Sequence, residues 1–289
     1  MSPLPGNAPK VLEDRLRVRA TDGAQADLHL LVPPGPVDRL LYWLPALGVT
    51  ARNYAPFGHA LAGRGIAVAL HEWRGAGSSD RRASRRVDWG YRELLLADLP
   101  AGLAMLRSRF RDTRLMLGGH SLGGQLAVLY AGLQPRTVER LLLVASGSPW
   151  WPCFHRPRLV QAACLAVPLI AQAVGWFPGR RLGFGGNEAR GVMKDWARSG
   201  RSGRYVVEGI AQDLEARLAD ISLPVHAWRL ADDWLAPAAS LDWLLDKLPK
   251  ARRRVSVLDA SALGTQADHF SWMRAPGLLA ARVADDINY

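Results

Sequence analysis

Cysteine is almost absent: Cys153 and Cys164 are the only two in 289 residues. So few thiols exclude a small secreted domain held by disulfides and a cysteine-built metal centre. Lysine is nearly as scarce, since Lys10, Lys194, Lys247 and Lys250 stand among 37 basic residues that are otherwise arginine. With 26 acidic residues the formal net charge is +11, enough to raise the question of a polyanion partner. The clusters Arg81-Arg82, Arg85-Arg86, Arg180-Arg181 and Arg252-Arg253-Arg254 are short and scattered. No nucleic-acid motif or series of stacking aromatics accompanies them, so a solvated surface is expected and no nucleic-acid partner. The N-terminal lead, residues 1–10, has neither the basic start nor the apolar run of a signal peptide, and the expectation is a cytoplasmic protein with both thiols reduced. Long apolar runs are also missing apart from residues 159–177. Pro168, Gly175, Gln161 and Gln172 inside that run argue against a stable membrane span.

Glycine, by contrast, is plentiful at 28 residues, and hydrophobic residues make up 49% of the chain. One stretch concentrates the chemistry: Arg114-Leu-Met-Leu-Gly-Gly119-His120-Ser121-Leu122-Gly123-Gly124. Leu115 to Leu117 read as a short buried strand. Leu122, Gln125, Leu126, Leu129, Tyr130 and Leu133 then recur at helical spacing until Gln134-Pro135 stops them. A serine flanked by glycines between strand and helix is the pattern of a nucleophile elbow, in which a strained turn exposes the hydroxyl.

Elsewhere the chain alternates strand and helix. Residues 15–20 and 26–32 read as a hairpin, 39–44 as a nearly continuous apolar strand, 53–62 as a helix and 65–73 as the next strand. A long helix starts near Asp88, and its face Leu94, Leu95, Leu99, Leu103, Leu106, Phe110 runs through Pro100, which should kink or split it. Residues 139–145 form another strand. From 146 to 209 the alternation gives way to a Trp-, Pro- and Gly-rich segment suited to a helical cap insertion. Strands at 223–230 and 254–258 and helices at 237–248 and 276–287 complete the pattern. The fold class is α/β, a mostly parallel sheet covered on both faces. Residues 11–145 and 210–289 make its core.

A serine hydroxyl needs a base, and the base needs an orienting carboxylate. Past the elbow, Asp232 and Asp233 follow the strand at 223–230, and His269 follows the strand at 254–258. Asp233, four residues before Pro237, is favoured over Asp232. His29, His59, His71, His155 and His226 fall in strands, a helix and the inserted segment, where structural roles are expected. His120 is adjacent to the serine, but its side chain should point away to packing. For the oxyanion of an attacked carbonyl, the Leu122 amide at a helix N-terminus is one donor, and Leu47 in the turn Pro45-Ala-Leu-Gly48-Val is the second.

Together with Arg74-Gly75-Ala-Gly77-Ser78, these pieces resemble the α/β-hydrolase superfamily over residues 11 to 289. The turn at Pro45, Tyr54-Ala-Pro-Phe57 and Gly175-Trp-Phe-Pro-Gly-Arg-Arg-Leu-Gly-Phe-Gly185 are similar to a bacterial group of predicted hydrolases akin to the serine aminopeptidase and monoacylglycerol lipase branches. The resemblance implies an eight-stranded sheet and cleavage of an ester, thioester or amide through an acyl-enzyme, with no metal and no organic cofactor. Acyl transfer and a non-catalytic binding role occur on the same fold and stay open. So does oligomeric state. The expected substrate is a small, apolar acyl compound. The run 159–177 would serve as an acyl-binding wall or as packing, and Trp150, Trp151, Trp176 and Phe177 would line the pocket mouth.

Overall fold

The computed structural model describes residues 10–288, so residues 1–9 of the N-terminal lead lie outside the described residues. Strands β1 (Leu12–Arg19) and β2 (Gln25–Val32) pair antiparallel around the Thr21-Asp22-Gly23 turn, as the alternation predicts. Strand β3 (Arg39–Leu44) leads through a 3-10 turn, Ala51–Tyr54, into helix α1 (Ala55–Ala62). Strand β4 (Ala67–Leu70) is shorter than its apolar run.

Helix α2 (Tyr91–Glu93) and helix α3 (Leu99–Arg109) are joined by a π-helical stretch, Leu94–Asp98. Pro100 sits at the start of α3, where its missing N–H costs least, and the wide π turn absorbs the ring. The expected kink therefore takes the form of a change in helix type. Strand β5 (Arg114–His120), helix α4 (Leu122–Leu133) and strand β6 (Leu141–Val144) follow.

The segment after β6 holds helix α5 (Pro157–Val174), a short ladder between β7 (Phe177–Pro178) and β8 (Asn187–Glu188), the helical turn α6 (Gly179–Leu182) and helix α7 (Arg190–Ser202). The chain returns through α8 (Leu214–Ala219), β9 (Pro224–Leu230), α9 (Ala238–Leu245), β10 (Arg252–Leu258), α10 (Ala260–Leu263) and α11 (Gly277–Asn288).

The main sheet has eight strands in the order β1-β2-β4-β3-β5-β6-β9-β10. Only the pairs β1/β2 and β2/β4 are antiparallel. Strands β3, β4, β5 and β6 are buried and mostly apolar, apart from Arg39 and Arg114 at their starts and His120 at the end of β5, because both faces of a parallel sheet are covered. One face packs on α1, α11 and the Trp272 ring. The other packs on α3, α4 and, continuous with them, the buried side of α5 and α7. Winding reverses at β3, which lies between β4 and β5, and the crevice outside the carboxyl ends of strands at such a point is where ligands bind.

Candidate active site

Strands β3 and β5 run in register with Leu44 opposite Gly119, so the turns that follow them leave the sheet side by side. Ser121 stands in the second of these turns with φ 54° and ψ −119°. A non-glycine residue there costs on the order of 1–3 kcal/mol and needs surrounding structure to hold it. The Ser121 N–H donates to the Val144 carbonyl at 3.1 Å. Its carbonyl accepts from the Gly124 N–H at 3.1 Å and from the Ser146 hydroxyl. The flanking glycines answer to close approach: a Cβ on Gly119 would overlap the Gly123 carbonyl, and one on Gly123 would overlap that of Leu44.

Asp233 leaves the end of β9 fully buried, whereas Asp232 beside it is exposed. Asp233 Oδ1 accepts the N–H groups of Leu235 at 2.9 Å and Ala236 at 3.1 Å. Its Oδ2 lies 2.7 Å from His269 Nδ1, on the buried imidazole. A carboxylate only accepts, so the imidazole proton belongs on Nδ1 and Nε2 is left with a free lone pair. The loop carrying His269 is shaped by Asp268, whose carboxylate accepts from Phe270 N–H at 2.8 Å and Ser271 N–H at 2.7 Å. It also accepts from the Ser271 hydroxyl at 2.6 Å.

His120 turns to the Tyr54 hydroxyl at 2.8 Å, its ring centroid 4.6 Å from that of His269. Ala46 N–H donates to the same hydroxyl at 3.0 Å, so the hydroxyl proton points to His120 Nδ1. Burial, and then the neighbouring His269, hold His120 well below the ordinary imidazole value, which keeps it neutral. Three other histidines make contacts away from this site. His71 bonds the Tyr42 hydroxyl at 2.6 Å and is pushed down to about 3 by burial. His226 stacks on Trp228 and meets Ser256, and His59 pairs with Glu13 at the surface.

Leu47 and Leu122 line one narrow pocket. Among the described residues no protein acceptor engages either N–H, so both donors are unspent. The turn that carries Leu47 is held by the Trp73 indole N–H on the Pro45 carbonyl at 2.8 Å and by the Ala46 bond to Tyr54. Gly48, at φ 75°, lets the Gly185-Gly186 backbone close down on this turn, since any Cβ would strike it. The remaining walls are Trp73, Trp89, Leu94 and Val192, with Arg74, Arg180 and Glu188. Glu188 accepts the Gly186 N–H at 2.8 Å, and burial raises its carboxyl above the ordinary value.

One sequence-based expectation changes, and of the two roles left open for residues 159–177 the structure favours packing. Trp150 packs on Trp243 with ring centroids 3.6 Å apart, Phe177 is buried against Phe184, and neither Trp151 nor Trp176 lines this pocket, so Trp73 and Trp89 supply the aromatic wall instead. Helix α5 directs Cys164, Val167 and Ala171 inward, with Cys164 packed at Gly200 of α7, and the pocket takes its roof from residues 180–192. Sequence reasoning missed Asp268, Glu188 and the Trp73 and Tyr54 clamps. Three of them stood at a recognised feature, Tyr54 within Tyr54-Ala-Pro-Phe57, Asp268 beside His269 and Trp73 immediately before the Arg74-Gly turn, but nothing in the sequence signalled their contacts. Cys153 and Cys164 are free thiols, both pushed up to about 11 chiefly by burial. Among the described residues no group of three or more His, Cys, Asp or Glu could hold a metal ion.

A doubly wound, mostly parallel eight-stranded sheet with a strained serine after β5 and a buried acid and histidine after β9 and β10 defines an α/β-hydrolase. The family described as serine aminopeptidase, S33 matches residues 35–182, just over half of the chain, and the chain belongs to it.

Among curated relatives, the chain is 29% identical over 161 residues to a pimeloyl-[acyl-carrier protein] methyl ester esterase of Nitrosomonas europaea, covering 48% of this chain and 61% of that protein. It is 29% identical over 164 residues to a putative carbamate hydrolase of Agrobacterium fabrum, covering 53% and 62%. The match thus spans less than two thirds of either relative. The esterase domain of a Rhodothermus marinus protein superposes with a TM-score of 0.61 at 17% identity, over 95% of this chain and 98% of that domain, a likeness of fold.

Proposed function

We propose that this hydrolase-family member cleaves a carboxylic ester or acyl thioester through an acyl-enzyme, with Ser121 as nucleophile. The observation that carries the reading is the buried 2.7 Å contact between Asp233 and His269, on the same end of the sheet as the strained Ser121 turn. His269 Nε2 takes the Ser121 proton as Oγ attacks the carbonyl, and the oxyanion is received by the Leu47 and Leu122 amides. The imidazolium, stabilised by Asp233, gives that proton to the departing alkoxide or thiolate. Water, deprotonated in turn by His269, releases the acid and restores Ser121. Residues 146–209 act as a cap over this end of the sheet. The close seating of Gly185-Gly186 on Gly48 favours short or slender acyl groups.

A fluorophosphonate probe tests the reading directly. Folded protein should form a covalent adduct at Ser121 that Ser121→Ala abolishes, and an unlabelled folded wild type would sink the proposal.

One observation favours a second reading, cleavage of an amide beside a free amine: Glu188 places a carboxylate in the pocket of the Leu47 and Leu122 donors. Arg180 shares the pocket and offsets that charge. Rates on matched aminoacyl anilides and simple nitrophenyl esters separate the two. A preference for the anilides that Glu188→Gln removes would favour the second.

A further inference from the structure

Helix α5 spends one stripe of side chains on the protein, and among the described residues nothing covers the opposite stripe. Cys164, Val167 and Ala171 are buried, and Val160, Ala163, Ile170 and Val174 are half-buried on the same side. On the other side Leu159, Leu165 and Leu169 are 58%, 53% and 71% exposed, with Ala162 and Ala166 exposed between them and Gln172 and Ala173 exposed just after. Leu182, just beyond the helix, adds another 55% exposed leucine. From Leu159 to Pro178 the chain carries no charge. A soluble surface ordinarily scatters such leucines singly, and a row of them on one helix marks an interaction face.

The charges sit where the apolar face ends. Exposed Arg156 and Arg158 flank its N-terminal end, and exposed Arg180 and Arg181 follow its C-terminal end. Arg85 reaches in from the core, donating to the Ala173 carbonyl at 3.0 Å beside Gly175. Arg180 also faces Glu188 across the pocket, but among the described residues none of the five arginines forms a close ion pair, whereas nearby Lys194 and Arg190 are paired with Glu208 and Asp88.

We infer that the outer face of α5 docks on the surface of an anionic lipid bilayer, with the helix in the interface plane, its leucines among the acyl chains and its flanking arginines at the headgroups. Apolar burial combined with cationic anchors is what holds an interfacial helix. Spanning is a poor alternative. The 18 residues of α5 reach roughly 27 Å at 1.5 Å per residue, at the short limit for a bilayer core. A span would also strip Cys164, Val167 and Ala171 from α7. Docking on the outer face leaves that packing intact, and the inference does not depend on the chemistry assigned to Ser121.

Co-sedimentation of the full chain with vesicles tests it. Binding should be stronger by about tenfold or more on phosphatidylcholine vesicles containing roughly one quarter phosphatidylglycerol than on phosphatidylcholine alone, and should weaken with salt. The double variant Leu165→Glu and Leu169→Glu should lose this binding while keeping the wild-type circular dichroism spectrum and its rate on a soluble ester. As a check that does not rest on charge insertion, an environment-sensitive fluorophore on Leu169→Cys should shift to the blue with anionic vesicles. Absence of vesicle binding, or undiminished binding by the double variant, overturns the inference. So does a wild-type oligomer that the double variant converts to monomer without any vesicle binding, which would assign the face to a second copy of the chain.

Discussion

At the scale of single residues, two neighbouring aspartates with the same chemistry have opposite surroundings. Asp233 divides its oxygens between its own turn and His269, and Asp232 faces water. Asp233→Asn should therefore lower kcat on a nitrophenyl ester by about 10⁴, because the amide favours the wrong imidazole tautomer. Asp232→Asn should stay within about twofold of wild type. Steady-state kinetics on both variants decide the matter, and a large loss at Asp232 alone would reverse the assignment. Gly123 makes a different kind of demand. The Cβ of Gly123→Ala would overlap the Leu44 carbonyl, part of a backbone that cannot move without shifting β3. A loss of about 1–3 kcal/mol in denaturant unfolding is expected, together with loss of probe labelling at Ser121.

At the scale of elements, the strands and helices of the core were legible because hydrophobic spacing and turn residues agree there. After Arg39, residues 40–44 are Leu-Leu-Tyr-Trp-Leu without a charge, and β3 forms over 39–44 as the spacing predicts. Helices α8 and α10 were not legible, since six and four residues give too short a pattern to stand out. The π stretch before Pro100 was invisible because five residues of leucine, alanine and aspartate satisfy an α pattern equally well. For the candidate site, chain order pointed to Ser121, Asp233 and His269. The pocket walls come from Trp73, Trp89 and Val192, which long-range packing brings together. The loop between α10 and α11 shows what such reasoning misses: Asp268 folds it through three hydrogen bonds. Asp268→Ala should lower kcat by roughly tenfold to a hundredfold with little change in KM, since it misplaces His269 and leaves the pocket alone. Asp268→Asn, which keeps an acceptor for both amides, should recover most of the rate. Equal losses in both variants would mean that the carboxylate charge matters more than the turn.

At the scale of the whole molecule, the inserted segment is fastened to the core by a buried titratable group. Asp195 of α7 accepts the Tyr91 N–H at the start of α2 at 2.9 Å, across 104 positions of sequence. Burial, the largest influence, pushes its carboxyl up from 3.8 to about 6, against the lowering pull of the Tyr91 N–H, Arg198 and Lys194 and with a further push from Glu93. Between those two values the folded chain binds the proton more tightly than the unfolded chain. The stabilising contribution is thus fully present below about 3.8 and is lost as pH rises through about 6. Asp195→Asn keeps an acceptor for Tyr91 and removes the titration. Its Tm relative to wild type should therefore climb between about pH 4 and 6.5 and then level off, other buried carboxylates cancelling in the difference. Thermal unfolding of both proteins across that range is the measurement. A difference that stays flat with pH would mean that Asp195 remains ionised where it is buried, and that the attachment of α7 to α2 does not respond to acid.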